Sequence, residues 1–193
     1  MRPVWADYTG EFHLPTIDGR ERGRGGRAVA YFPGSTIGNF EPTEARQFLE
    51  SVRRVCGRGG SLLIGVDLEK DPALLNAAYN DAAGVTAAFN LNLLTRINRE
   101  LGANFDTSSF AHHAFYDAAA GRVEMHLISR RRQRVELGDG ASISFEPGET
   151  IHTENCYKYT LASFRALAAE AGYRPEQVWT DEAGWFSVHY LHG

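Results

Sequence analysis

The stretch from Arg27 to Leu68 constrains the fold most. Behind Arg27 runs a short apolar segment, Ala28-Val29-Ala30-Tyr31-Phe32, and Ser61 to Leu68 (SLLIGVDL) is a second, ending near Asp67. Between them Glu41-Pro42-Thr43-Glu44 opens a helix, with the proline suited to its first turn. Ala45, Phe48, Leu49, Val52 and Val55 recur at helical spacing and make one apolar face. Gly57 and Gly59-Gly60 stop it. Strand, helix and strand, with strands apolar on both faces, predict a parallel βαβ unit. The first strand runs into Pro33-Gly34-Ser35-Thr36 and then Gly38-Asn39. In open α/β sheets ligands sit outside the carboxyl ends of strands, so this loop is the first candidate binding element.

The rest of the chain departs from that alternation. Val4-Trp5-Ala6 reads as a strand end with Asp7 just after it. The glycine-rich stretch 18–26 reads as a flexible linker, because a strand follows it where a cofactor-binding glycine loop would open a helix. From Asp71-Pro72 a helix is expected through Leu74, Leu75, Ala78 and Tyr79. A second follows Gly84, with Val85, Phe89, Leu93, Ile97 and Leu101 as its apolar stripe. Two helices in succession mark an insertion. Ala114 to Tyr116 and Arg122 to Ser129 form a hairpin, with Val123, Met125 and Leu127 on one face and Glu124 and His126 on the other. Gln133 to Leu137 and Ser142 to Phe145 flank a Gly138-Asp139-Gly140 turn. After the mixed polar and aromatic run Glu149 to Tyr159 (ETIHTENCYKY), Thr160 caps a helix carrying Leu161, Phe164 and Leu167. Gln177 to Thr180 and Trp185 to Leu191 close the chain as an antiparallel pair. The fold class is therefore α/β, with an inserted α+β lobe at 69–155 and the remainder, 1–68 with 156–193, forming one domain.

Bulk properties narrow the partners. With 193 residues and 43% hydrophobic content, the chain can bury a real core. A net charge of −4 argues against nucleic acid, and Arg130-Arg131-Arg132 with Arg134 reads as a solvated strand end. Cys56 and Cys156 are too few for a disulfide framework or a zinc site, and fit reduced thiols of a cytoplasmic protein. No signal peptide or membrane-crossing run is legible.

The wording FPGSTIGNF, then GVDL, AAYND, GVTAAF and RINREL, and later IHTEN with YKY, resembles the histidine-specific α-N-methyltransferases. These trimethylate histidine to hercynine with S-adenosylmethionine in ergothioneine biosynthesis. The resemblance spans essentially the whole chain and implies a partial class I, Rossmann-like methyltransferase sheet carrying an inserted substrate lobe. It implies that Asn39 and Tyr79 bind the amino and carboxylate groups of histidine, with Gly34 at the same strand end. Glu154 grips the imidazole, and Thr86, Phe89 and Met125 line the pocket. Asp7, followed by Tyr8, matches the acidic residue at the cofactor's adenine.

Methyl transfer from a sulfonium to an amine needs neither metal nor covalent nucleophile, so the informative residues hold the substrate rather than react. Each has a plainer alternative. An Asn after a strand is a turn former, Tyr79 on a helix and Met125 on an alternating strand are core residues, and a single Glu is often a surface group. Glu154 stands out because His152, Glu154 and Asn155 lie among Ile151, Tyr157 and Tyr159, and a carboxylate in partly apolar surroundings needs a partner. Two departures from the family pattern stand beside the match. Cys156 occupies a position where a serine bonds the ring, and a thiol is a weak donor. The family's glycine-rich cofactor loop and a large N-terminal part have no counterpart here. A non-catalytic amino-acid-binding remnant is therefore the alternative function. The missing neighbours also predict an exposed sheet edge that pairs with a partner chain or a second copy.

Overall fold

The computed structural model describes residues 4–8, 10 and 27–193, and the 18–26 linker lies outside them. The chain divides into two compact units, Met1–Glu69 with Tyr157–Gly193, and Lys70–Cys156.

The first unit is α/β as expected. β1 (Val29–Phe32) and β2 (Ser61–Asp67) are parallel and joined by helix α1 (Pro42–Cys56). Glu44 Oε2 accepts from the Glu41 backbone N–H at 3.0 Å, satisfying an orphan donor at the start of α1. Ala45, Phe48, Leu49 and Val52 of α1 are buried against Leu62, Ile64 and Val66 of β2. Strands β8 (Arg174–Thr180) and β9 (Phe186–His192) return antiparallel, giving the order β1-β2-β9-β8. Helix α4 (Leu161–Glu170) is capped by Thr160, whose Oγ1 accepts from Ser163 N at 2.9 Å. Phe164 is fully buried and Leu167 packs beside it, whereas Leu161, expected on the inner face, is exposed. Among the described residues β1 is an edge strand, with Val29 55% and Tyr31 70% exposed.

The second unit opens with α2 (Pro72–Tyr79) and α3 (Val85–Leu101), followed by the hairpin β3 (Phe110–Asp117) and β4 (Arg122–Ser129). Asp71 caps α2, accepting from Ala73 N at 2.7 Å. In the hairpin Ala114 stands opposite Met125, and Gly121 takes the left-handed conformation that the turn requires. β5 (Gln133–Glu136) and β6 (Ser142–Phe145) form a separate pair, and β7 (Thr150–Tyr157) adds to the hairpin as β3-β4-β7.

Of the apolar stripe expected on α3, Ile97 packs into the core and the rest does not. Val85, Phe89 and Leu101 are well exposed and Leu93 marginally so, while Asn90 and Leu94 are buried. Asn90 donates to the His126 carbonyl at 3.1 Å, and Asn98 bonds both Phe105 N and Phe105 O at 2.7 Å. Amides at helical spacing turn this helix toward the sheet, and a search for apolar periodicity passes over them.

Candidate functional site

The loop after β1 is built tightly. Ser35 has φ 55°, the left-handed region that costs a side-chain-bearing residue. Its Oγ accepts from the Asp67 backbone N–H at 2.8 Å, fixing the loop to the end of β2. A Cβ at Gly65 would lie 2.1 Å from the Pro33 carbonyl oxygen, so only glycine lets the loop press against the strand. Gly34 is exposed at the turn, and Asn39 ends the following 3-10 turn with its side chain toward solvent. Tyr8 lies edge-on to Phe32 and Phe48, at 5.8 and 6.1 Å, and Asp7 beside it is exposed.

In the second unit two candidates that are distant in sequence meet. The Tyr79 hydroxyl donates to Cys156 Sγ at 2.9 Å. α2 is held for this by amides: Asn80 Oδ1 accepts from Ala114 N at 3.1 Å while its Nδ2 donates to Ala114 O at 2.9 Å. Asn76 Oδ1 accepts from Tyr116 N at 2.8 Å, and His112 Nε2 lies 2.8 Å from the Tyr79 carbonyl oxygen. Met125 is 3% exposed, within a cluster of Leu75, Ala114, Val123 and Cys156. Glu154 is half-buried on β7. Ile151 and Cys156 both join apolar clusters with the Val123–Met125–Leu127 face of β4. They are five positions apart, so the alternation of β7 shifts once between them.

Thr86 and Phe89 differ from a closed pocket wall. The Thr86 amide donates to Asp81 Oδ1 at 2.8 Å, the Val85 amide to Asp81 Oδ2 at 2.9 Å, and the Thr86 hydroxyl bonds the same carboxylate. These bonds, that of the Thr86 amide foremost, hold the Asp81 carboxyl down at about 2. Thr86 thus caps α3, and Phe89 is 65% exposed on its outer side.

Several anchoring residues were legible only as motif wording, not as anchors. Lys158 Nζ lies 2.7 Å from Asp67 Oδ2 with only 1% of its side chain exposed, a buried pair at the end of β2. Tyr157 donates to Glu41 at 2.5 Å, and Tyr159 bridges Leu68 in parallel. The YKY triplet therefore stitches the first unit, while HTENC belongs to the second. An open cleft of about 610 Å³ on α1, lined by Phe40, Glu44, Phe48, Ser51 and Arg54 among others, contains none of the candidate residues.

For a nucleoside cofactor, Asp7 offers an exposed carboxylate and the tight loop at Gly34 an approachable strand end. Among the described residues the connection from β1 to α1 carries Gly34 and Gly38 and passes through a 3-10 turn before the helix begins.

Comparison with known proteins gives a consistent picture. A family described as histidine-specific methyltransferase, SAM-dependent, matches residues 1–193. A histidine N-alpha-methyltransferase of Mycobacterium tuberculosis is 46% identical over 189 residues, 97% of this chain and 57% of that protein. Its namesake in Mycolicibacterium smegmatis is 43% identical, covering 84% of this chain and 51% of the relative. Ergothioneine biosynthesis protein 1 of Neurospora crassa is 32% identical over 61% of this chain and 15% of its own length. The chain spans little more than half the length of the two bacterial relatives.

Proposed function

Because this chain belongs to the histidine-specific, SAM-dependent methyltransferase family, we propose that it serves the transfer of methyl groups to the α-amino group of L-histidine, forming hercynine for ergothioneine biosynthesis. The observation that carries this reading is the Tyr79–Cys156 contact, which joins two family motifs 77 residues apart. S-adenosylmethionine, when bound, supplies an electrophilic methyl group. The family motifs assign the holding of the amine to residues of this chain: Tyr79 in the second unit, and Asn39 with Gly34 in the first, carry the amino and carboxylate groups by that resemblance. Glu154 accepts the imidazole N–H, with Cys156, Met125, Thr86 and Phe89 around it. Asp7 and Tyr8, by the same resemblance, belong to the adenine end of the cofactor. Positioning of this kind contributes several kcal/mol without a reactive side chain. Cytoplasmic location belongs to the same proposal, supported by Cys56 and Cys156 both remaining thiols. Among the described residues no helix is long and apolar enough to cross a membrane.

The exposed edge at Val29 and Tyr31 supports a further part of the reading, that β1 takes up a strand from another segment or copy. The test is a methylation assay on monodisperse protein, with mass detection of mono-, di- and trimethylated histidine. It is run alone and with the part of the Mycolicibacterium smegmatis relative that this chain does not span. Turnover is expected only in the mixture; full turnover by the monomer alone overturns the shared-site arrangement. Glu154→Ala should weaken histidine binding by about 1.5–3 kcal/mol, the range for a charged hydrogen bond. Equal losses for histidine and for an amino acid lacking a ring nitrogen would make Glu154 a structural residue.

A further inference from the structure

The face of the β3-β4-β7 sheet opposite Met125 gathers a different set of groups. Glu124 and His126 stand on β4 two positions apart, and β7 brings His152 beside them. Glu124 Oε2 lies 3.0 Å from His126 Nε2 and 4.0 Å from His152 Nε2. The two imidazoles stack at 4.5 Å with 14° between their planes, and Phe115 stacks on the other side of His126 at 5.5 Å. Arg122 bonds the second carboxylate oxygen, Oε1, at 2.6 Å, which turns Oε2 toward the histidines. Glu124 and His126 side chains are each 12% exposed and His152 37%, so the cluster is walled by the sheet and open on one side.

We propose that Glu124, His126 and His152 bind one divalent transition-metal ion of the zinc class. Two imidazole nitrogens and one carboxylate oxygen form a donor set suited to Zn²⁺ or Co²⁺, with water in the remaining position. The three donor atoms already lie within 4.8 Å of one another. Around a tetrahedral ion with bonds of about 2.0–2.2 Å, donors stand roughly 3.4 Å apart, and the more exposed His152 ring must turn out of its stack with His126 for both nitrogens to face one ion. Two features prepare the set. Phe115 fixes the ring plane of His126, and Arg122 orients the carboxylate as an outer-shell partner does. Bound there, the ion ties the strand carrying Glu154 to β4. The inference is independent of the methyl-transfer reading.

The test titrates the full chain, free of any polyhistidine tag, with zinc chloride by calorimetry and with cobalt chloride by visible absorption. One ion per chain is expected, with d–d bands of a nitrogen and oxygen donor set. His152→Ala and Glu124→Gln should each weaken binding about tenfold or more, while His113→Ala, an exposed histidine on β3, should not. Metal-free melting temperatures of the variants exclude misfolding as the cause. Absence of binding at millimolar zinc, equal affinity in all variants, or a thiolate charge-transfer band assigning the ion to Cys56 or Cys156 would each overturn the proposal.

Discussion

The two units cover their sheets with helices by different chemistry. In the first, α1 and α4 bury Leu49, Val52, Phe164 and Ala168 on Leu62, Ile64, Val66 and Leu191. In the second, side-chain amides do much of the joining. Asn76, Asn80, Asn90 and Asn98 link α2 and α3 to backbone groups of β3, β4 and the segment at Phe105. Asn104 extends the pattern, accepting from Glu136 N at 2.8 Å. An apolar interface tolerates sliding because dispersion is non-directional. A bidentate amide fixes position, since its donor and acceptor must both align. The second unit thus adds directional bonds to its two apolar clusters, and it is there that Tyr79, Glu154 and Cys156 lie.

The largest expected effect tests the apolar side of this contrast. Ile64→Ala, at a fully buried site in the first unit, should cost about 2–5 kcal/mol in denaturant unfolding. A cost below about 1 kcal/mol would break the description of that unit as apolar-cored.

Acid should then separate the units. His189 is fully buried, and burial foremost, with Arg165 nearby, lowers its pKa from 6.5 to about 4. The unfolded chain takes up this proton below pH 6.5 while the folded chain resists it until about 4. Its contribution is therefore full above pH 6.5, falls with pH, and is gone below 4, a loss of about 3 kcal/mol. In the second unit Asp81 and Asp106 are lowered from 3.8 to about 2, by bonds from Thr86 and Ser108 respectively before other causes. Their contributions persist above 3.8 and vanish only toward pH 2. Hydrogen exchange between pH 6.5 and 4 should show the first unit loosening first, and His189→Leu should flatten that slope. Simultaneous loosening in the wild-type chain would defeat the separation.

Asn98→Leu sharpens the amide side. It strips Phe105 N and O of their partners and should cost about 2 kcal/mol, at about 1 kcal/mol per neutral bond. A more stable variant would mean that apolar packing could have served α3 equally well.

The smallest effect concerns Cys156. A hydroxyl accepts the Tyr79 proton and donates its own, where the thiol does both weakly. Cys156→Ser should raise histidine affinity by about 0.5–1.5 kcal/mol, measured calorimetrically. Unchanged affinity would leave Cys156 a core residue, in keeping with its place beside Met125 and Val123.

Local chemistry made much of the architecture legible. Pro42 and the glycines after Cys56 mark the bounds of α1, Thr160 caps α4, and the alternation of β4 puts Met125 and Glu124 on opposite faces. Each rests on neighbours within a turn or two, so propensity and spacing suffice. The site was legible mainly through its motif wording, because residues that hold a substrate look like turn formers and core residues.

What the sequence by itself determined is the order and kind of elements: a βαβ start, a helical and hairpin insertion, and a returning antiparallel pair. Only the tertiary structure decided which stripe of α3 is buried, since amides compete with leucines for the inner face once backbone partners are in reach. It also decided that Tyr79 meets Cys156 and that His152 joins Glu124 and His126. These contacts cross 77 and 28 positions of chain, and no local preference encodes them. The histidine cluster follows from the strand order β3-β4-β7, because hydrogen-bonded strands lie only about 4.8 Å apart whatever the length of chain between them, and the Tyr79 contact follows from the docking of α2 on β3.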